Sequence, residues 1–270
     1  MLRKFLDNSN CLVKTEIVPA KSDPLTRWLL EIDLPETRHF SLIHAHALIS
    51  SWVDDDHHAA RKCFSLGNVN LTRNSIGIEL RTFSDETGER LQDSFSATPY
   101  IRIGSQRCEG ASLQVIDSTN FEHLIANSEK HQNLNLDFTT PVVFRSGSRF
   151  SVIPHHSLVF GHARRVWSLW APPDLVPEIE LRDLPVLTPF IDGSTKAWDL
   201  GKRSWEGFVG QIRYDLSLLD EREIRVLNVL GQFLNYVGVG ANTTWGMGVV
   251  NVATPGQQDR SLAKSTKVRT

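Results

Sequence analysis

Residues 236–250 read YVGVGANTTWGMGVV, and an apolar run with helical spacing stands directly before them. The apolar residues of that run recur every three or four positions and predict one apolar helix face: Ile224, Leu227, Leu230, Phe233, Leu234 and Val237. Asp220 and Glu223 form a capping-box pattern at the start of this helix. Gly238 suits its end, because glycine adopts the left-handed conformation at little steric cost. Strands are predicted on either side, at 210–216 and 247–253.

The rest of the chain repeats a similar order of elements. The first half predicts a strand at 28–34, a helix at 38–53, strands at 63–69 and 75–83, a turn at 86–88, a strand at 111–116 and a short helix at 120–129. The second half begins with a strand at 134–145, broken by Pro141, a helix at 154–170 and a proline-rich irregular segment at 171–200. Each half thus approximates strand, helix, two strands, helix, strand. That order is the ferredoxin-like pattern, which RNA-recognition sheets also use.

The predicted fold class is therefore α+β, with two tandem ferredoxin-like (RRM-like) domains. The polar run 127–133 has no periodic apolar face and is interpreted as the linker. We expect an N-terminal domain at 1–130, a C-terminal domain at 131–254 and a disordered polar tail at 255–270.

Composition excludes several classes of protein. The formal net charge is -2, so the chain as a whole does not attract nucleic acid and any such affinity must come from local clusters of cations. Its 3 cysteines are far apart and show no CxxC spacing, which disfavours a disulfide framework or a cysteine zinc site. No stretch approaches the roughly 20 apolar residues of a membrane helix. We expect a cytoplasmic protein with no membrane partner.

The glycine-rich loop resembles a family signature. The strand motif GFVG at 207–210 and the pattern GxGxxTxxGxG at 238–248 are similar to the C-terminal end of the CRISPR repeat-processing endoribonucleases, the Cas-six family of the RAMP superfamily. Residues 136–145, LDFTTPVVFR, resemble the motif that opens the second domain of that family. The resemblance spans about residues 28 to 252. It implies two ferredoxin-like domains, one cut per repeat, and as partners CRISPR repeat RNA (precursor and mature guide RNA) and other CRISPR effector subunits.

The same loop supplies candidate RNA-binding residues. Successive glycines allow positive φ and bring backbone N–H groups close to a phosphate. The loop candidates are Gly238, Gly240, Asn242, Thr243, Gly246 and Gly248. The candidate cations for RNA are Arg145, Arg149, Lys202 and Arg203.

Histidines are the candidates for chemistry. Cleaving RNA without a metal requires a base for the 2′-hydroxyl, an acid for the departing 5′-oxygen and a cation or N–H donor for the phosphorane. The resemblance places the catalytic histidine just beyond the first helix, at His58 or His57. His44 is a further proton-transfer candidate on the polar face of that helix, and Lys62 is the candidate cation. No metal or cofactor is expected, and the expected products carry a 2′,3′-cyclic phosphate and a 5′-hydroxyl.

Two alternatives stay open. The chain could be a non-catalytic RNA-binding subunit of a CRISPR effector complex. It could also be a metal-dependent hydrolase that uses the histidine-rich segment His39–His58. His44 and His46 point about 200° apart on a helix, which argues against a metal shared by that pair. His46 is interpreted as a core histidine.

Overall fold

The computed structural model describes residues 13–14, 24–34, 37, 40–54, 61–104, 106–108, 110–200 and 204–253. The strands are β1 Val13–Lys14, β2 Leu25–Asp33, β3 Phe64–Leu71, β4 Ser75–Thr82, β5 Arg102–Ile103, β6 Gln106–Arg107, β7 Gly110–Thr119, β8 Asn133–Val142, β9 Phe144–Ser146, β10 Arg149–Ser151, β11 Leu187–Asp199, β12 Ser204–Asp215 and β13 Val250–Ala253. The α-helices are α1 Leu42–Val53, α2 Asp85–Ala97, α3 Phe121–Ala126, α4 His156–Trp170 and α5 Glu221–Val237. Short 3-10 helices occupy Pro173–Leu175 and Thr243–Trp245.

The first sheet has the strand order β1-β7-β2-β4-β3. Its four long strands have the ferredoxin-like arrangement, in which the first and third strands of the unit are central. Alternate side chains of β2, such as Trp28, Leu30 and Ile32, are fully buried in the core beneath α1 and α2. The element order of this half is strand, helix, two strands, helix, strand, with β5 and β6 added as a small hairpin before the last strand.

The second helix of this unit corrects one prediction. The predicted turn at 86–88 lies inside α2, which Ser84 begins by accepting a hydrogen bond from the Thr87 N–H at 3.2 Å. Gly88 favoured a turn in the sequence, but Leu91 and Phe95 on the same helix face are buried and stabilise the helix by packing. The predicted helix at 120–129 exists only as the short α3, after the last strand.

The second sheet has the order β11-β12-β8-β13, again the ferredoxin-like arrangement. The capping box predicted at the start of α5 is confirmed, since Asp220 accepts from the Glu223 N–H at 2.8 Å and Glu223 accepts from the Asp220 N–H at 3.0 Å. β8 continues through Pro141, and the predicted break takes the form of a register shift in its pairing with β12 between Phe138 and Val142. Proline is tolerated because β13 pairs only with residues 135–138 of β8.

The prediction of an irregular segment at residues 171–200 is wrong for its second part, because Leu187–Asp199 forms the long edge strand β11. Nearly all of its side chains are exposed, so the strand carries no alternation of apolar and polar residues that would reveal it. It is stabilised by continuous antiparallel pairing with β12, from Phe190 opposite Arg213 to Asp199 opposite Ser204.

The two halves contact each other through α5 and the open face of the first sheet. The Tyr236 hydroxyl on α5 donates to Asp117 Oδ2 at 2.8 Å, and Phe83 from the first half packs into the core of the second. Thr139 on β8 donates to Asn68 on β3 at 3.0 Å. The helix that leads into the glycine-rich loop is therefore held against the first sheet.

None of the helices in the described part of the chain combines the length and the apolar character that crossing a membrane requires.

Candidate functional site

The glycine-rich loop joins α5 to β13 and follows a path that only glycine permits at two positions. A Cβ atom on Gly240, where φ is +88°, would lie 2.6 Å from the Val143 carbonyl oxygen. A Cβ atom on Gly248, where φ is +69°, would lie 1.8 Å from the Val239 carbonyl oxygen. Gly238 ends α5 with a positive φ of 72°, but its ψ of -170° differs from the left-handed helical conformation that was predicted.

The N–H groups of the predicted phosphate-binding glycines have different roles. Gly238, Gly246 and Gly248 donate to backbone carbonyls inside the protein, at Leu234, Thr243 and Pro141. These three glycines therefore shape the loop and do not offer an N–H to a ligand. Within the described residues, the N–H groups of Gly240 and of residues 242–244 make no backbone hydrogen bond. The backbone N–H groups that the loop can offer to a ligand therefore lie between Gly240 and Thr244.

The loop contacts helix α1 of the first domain. His46 Nδ1 donates to the Thr244 carbonyl oxygen at 2.8 Å, because a carbonyl can only accept. The His46 ring also stacks on Trp245, with 3.7 Å between ring centroids and 21° between ring planes. The prediction that His46 is a core histidine is wrong, since its side chain is half-buried between the domains. Its partner lies 198 positions away, so local periodicity could not indicate this contact.

A cleft of about 300 Å³ lies between the loop, helix α4 and the segment that follows α1. Its lining includes residues 240–245 of the loop, Lys62 from the first domain and Arg165 and Trp170 from α4. Lys62 Nζ pairs with Asp54 Oδ2 at 3.5 Å, which ties it to the end of α1. The Arg61 guanidinium lies 3.7 Å from the Trp170 ring centroid, a cation–π contact that joins the domains beside the cleft.

A second hollow, of about 630 Å³, lies on the other side of Arg165 and shares Gly240 and Ala241 with the cleft. Arg145 lines it and donates through Nε to the Gly147 carbonyl at 2.9 Å. Arg145 and Arg165 are both exposed. The two hollows together form a surface, named here the loop groove, along which cations from both domains surround residues 240–245.

Arg165 was not among the predicted site residues. The sequence signal for it was the basic pair Arg164-Arg165 on a predicted helix. The two arginines have different surroundings in the structure. Arg164 donates to the Ile179 carbonyl and is half-buried, whereas Arg165 faces the groove.

His162 on α4 also lines both hollows and carries no charge at neutral pH. Burial, with a smaller contribution from the neighbouring Arg165, lowers the pKa of His162 to about 3. Its Nδ1 lies 3.3 Å from the Arg165 guanidinium, which suits an unprotonated ring nitrogen that accepts. The local positive charge at neutral pH therefore comes from the arginines and Lys62.

This histidine makes a pH-dependent contribution to stability. Because the unfolded pKa of about 6.5 exceeds the folded value, the unfolded state binds one more proton between these two values and stability falls as pH is lowered through this window. We expect His162→Gln to reduce that dependence by up to about 1.4 kcal/mol per pH unit. Urea unfolding from pH 7.5 to 4.5 measures it, with the exposed His123→Gln as control. Equal slopes for wild type and His162→Gln would contradict the assignment.

The other predicted residues lie apart from one another or outside the described residues. His44 Nδ1 accepts from the Ser41 N–H at 3.2 Å, and its Nε2 faces the turn at Gly104. Arg149 is exposed on β10. His57 and His58, and Lys202 and Arg203, lie outside the described residues. Among the described residues, no three His, Cys, Asp or Glu side chains are grouped so that they could hold a metal ion.

Comparisons with known proteins agree with this architecture. The model of the family described as CRISPR-associated endoribonuclease Cas6 matches residues 136–250, which include β8, α5 and the whole loop. None of the curated proteins matches the sequence.

Solved structures share the fold over most of the chain. A Cas6 product complex has a TM-score of 0.74 at 21% identity, covering 86% of this chain and 100% of its own. Thermus thermophilus Cas6 has a TM-score of 0.67 at 21% identity, covering 87% and 100%. A Cas6 substrate mimic complex has a TM-score of 0.65 at 18% identity, covering 86% and 100%. The family model thus matches the half of the chain that contains the loop, and the solved Cas6 structures share the fold of both domains.

Proposed function

We propose that this protein cuts CRISPR repeat RNA by a metal-independent reaction that leaves a 2′,3′-cyclic phosphate and a 5′-hydroxyl. The observation that carries the proposal is the loop groove, where Lys62 of the first domain and Arg165 of the second line one cleft with residues 240–245. The shared fold with Cas6 product and substrate mimic complexes supports the same reaction class.

The groove suits a phosphodiester because positive side chains are concentrated there and not over the chain as a whole. The whole chain carries a formal net charge of -2, so RNA affinity must arise where cations are concentrated. Arg165 lines the cleft together with Gly240 and residues 242–244, and Arg145 lines the second hollow beside Gly240. Guanidinium groups and backbone N–H groups both bind phosphate oxygens well. Arg149, Lys202 and Arg203 are proposed to extend this contact along the RNA.

The proposed reaction conserves all atoms of the RNA. A base removes the proton of the 2′-hydroxyl, the 2′-oxygen bonds to the adjacent phosphorus, and the bond from phosphorus to the 5′-oxygen breaks as an acid protonates that oxygen. We assign the two proton transfers to histidines from the set His57, His58 and His44. Lys62, which lines the cleft, stabilises the charge on the phosphorane.

The test uses repeat RNA labelled at its 5′ end, with EDTA present throughout. The proposal expects one discrete cut per repeat, a 3′ fragment that accepts phosphate at its new 5′-hydroxyl, and no cut when the nucleotide before the cleaved bond lacks its 2′-hydroxyl. Binding without any cut would favour a non-catalytic subunit of a CRISPR effector complex. Loss of cleavage on chelation would favour the metal-dependent hydrolase.

The phosphate contact of Arg165 can be tested separately. Arg165→Gln is expected to weaken binding of the uncleavable 2′-deoxy RNA and to lower the slope of log affinity against log salt by about one. The control Arg222→Gln makes the same charge change on α5, where the side chain is 72% exposed and lines neither hollow. If both variants changed the slope equally, the effect would be one of net charge and the groove assignment would be wrong.

A further inference from the structure

We propose that His46 and Trp198 are positioning residues that hold the loop in the shape it needs to bind RNA. The proposal rests on the function proposed above and assigns no contact with RNA to either side chain. Both act on the 3-10 turn Thr243–Trp245, which lines the cleft.

Two consecutive carbonyls of this turn accept from two different elements. His46 on α1 donates through Nδ1 to the Thr244 carbonyl at 2.8 Å. Trp198 near the end of β11 donates through Nε1 to the Trp245 carbonyl at 3.1 Å. The turn is thus attached at the same time to the first domain and to the β11–β12 hairpin.

The contact with Thr244 places a proton on Nδ1 of His46. Because the Thr244 carbonyl can only accept, Nδ1 carries a proton, and the Ser50 hydroxyl lies 3.5 Å from Nε2. Ser50 is only 2% exposed, so its hydroxyl meets the His46 ring in a buried position on α1. The hydrogen bond to Thr244 and the stack on Trp245 together set the position and the plane of the His46 ring.

Trp198 joins the end of the hairpin to the loop. The side chains of β11 are otherwise exposed, whereas Trp198 is half-buried. Its ring also lies 3.6 Å from the position that a Cβ atom on Gly246 would occupy, so it covers the residue that ends the turn. The end of the hairpin extends beyond the pairing of β12 with β8, which runs from Asp215 to Phe208, and the Trp198 contact couples the position of this end to that of the loop.

The turn also packs against β3, but the backbone hydrogen bonds that join the loop to the neighbouring residues 141–143 lie toward its two ends. Ala241 donates to the Val143 carbonyl at 2.7 Å, and Gly248 donates to the Pro141 carbonyl at 2.9 Å. Neither bond involves residues 243–245. Without His46 and Trp198, the turn that contributes Thr243 and Thr244 to the cleft loses its external donors. RNA binding must then also order the turn, which lowers affinity.

Variants that keep each ring but remove its donor test the proposal. We expect His46→Phe and Trp198→Phe each to weaken binding of 2′-deoxy repeat RNA by about tenfold, the typical effect of one hydrogen bond. His46→Asn, whose amide nitrogen can donate in place of Nδ1, is expected to bind more tightly than His46→Phe. The double variant is expected to lose less than the two single losses combined, because both donors act on one turn. Unlike Arg165→Gln, these variants should leave the salt slope unchanged.

Trp205→Phe is the matched control. Trp205 stands opposite Trp198 in the hairpin and packs edge-on against Phe150 of β10, with 5.1 Å between ring centroids. Wild-type affinity in His46→Phe and Trp198→Phe, or equal losses in Trp205→Phe, would overturn the proposal. So would a His46→Asn variant that binds no better than His46→Phe.

A readout without RNA separates this proposal from the proposed function. Amide hydrogen exchange of residues 242–248 should be faster in His46→Phe and Trp198→Phe than in the wild type, while exchange in α5 stays unchanged. If the wild type neither binds nor cuts repeat RNA, the proposed function fails, and the exchange data still decide whether the two side chains hold the turn. Unchanged exchange in the loop would refute the positioning role.

Discussion

Replacing His57 and His58 together by alanine is expected to slow cleavage of repeat RNA by about 10²–10⁴-fold, the usual effect of losing general acid–base catalysis. The affinity for uncleavable RNA should change little, because the groove cations and the loop remain. Single-turnover rates with enzyme in excess separate the chemical step from binding and product release.

The reason lies in the residues on both sides of this histidine pair. Asp54 ends α1 and pairs with Lys62, and Lys62 lines the cleft beside the loop. Arg61 is held on Trp170 of the second domain. Because Lys62 stands only four residues after His58 in the sequence and lines the cleft, we expect the groups that transfer protons to come from this histidine pair.

Two further variants sharpen this prediction. His123→Ala changes an exposed histidine on α3 and should leave the rate unchanged. His44→Ala tests the remaining candidate, whose Nδ1 already accepts from the N–H of Ser41. A variant without His44, His57 and His58 that still cuts at the wild-type rate would show that the protons move through other groups. The proposed RNA-binding surface would then remain valid, but the assignment of proton transfer to these histidines would be wrong.

The sequence allowed the fold to be predicted where burial leaves a periodic pattern. The apolar face of α5 and its capping box were visible because both depend on residues three or four positions apart. Helix α2 was missed because Gly88 favours a turn locally, and only packing of Leu91 and Phe95 on the sheet outweighs that preference. Strand β11 was missed because its side chains are exposed on both faces.

The site was less predictable because it depends on contacts between distant parts of the chain. The glycine pattern located the loop, but it could not show which N–H groups are used inside the protein. His46 and Trp198 were not identified, since Thr244 and Trp245 are their partners only in the folded chain. Lys62 was proposed from its position after the histidines, and the structure places it on the cleft together with Arg165, which had not been chosen.

Replacing Gly248 by alanine is expected to have the largest effect on stability, a loss of about 3 kcal/mol or more. The added methyl group would lie 1.8 Å from the Val239 carbonyl oxygen, which is backbone and cannot rotate away. Val239 and Gly248 are also joined by a hydrogen bond from the Val239 N–H to the Gly248 carbonyl at 2.9 Å, so the two strands of the loop cannot separate without losing it. Urea unfolding monitored by tryptophan fluorescence measures the loss.

Gly147→Ala separates the steric effect from backbone strain. Gly147 has a similar φ of +62°, but no atom lies within 4 Å of its added Cβ, so this variant should lose only the strain of a left-handed residue, about 1–2 kcal/mol. If Gly248→Ala lost no more than Gly147→Ala, the loop would be able to rearrange around the methyl group. The close approach of its ends would then not be what fixes residues 240–245 over the cleft. The larger loss expected for Gly248→Ala, accompanied by weaker RNA binding, would instead show that the same glycine determines both the stability of the loop and its shape as a binding surface.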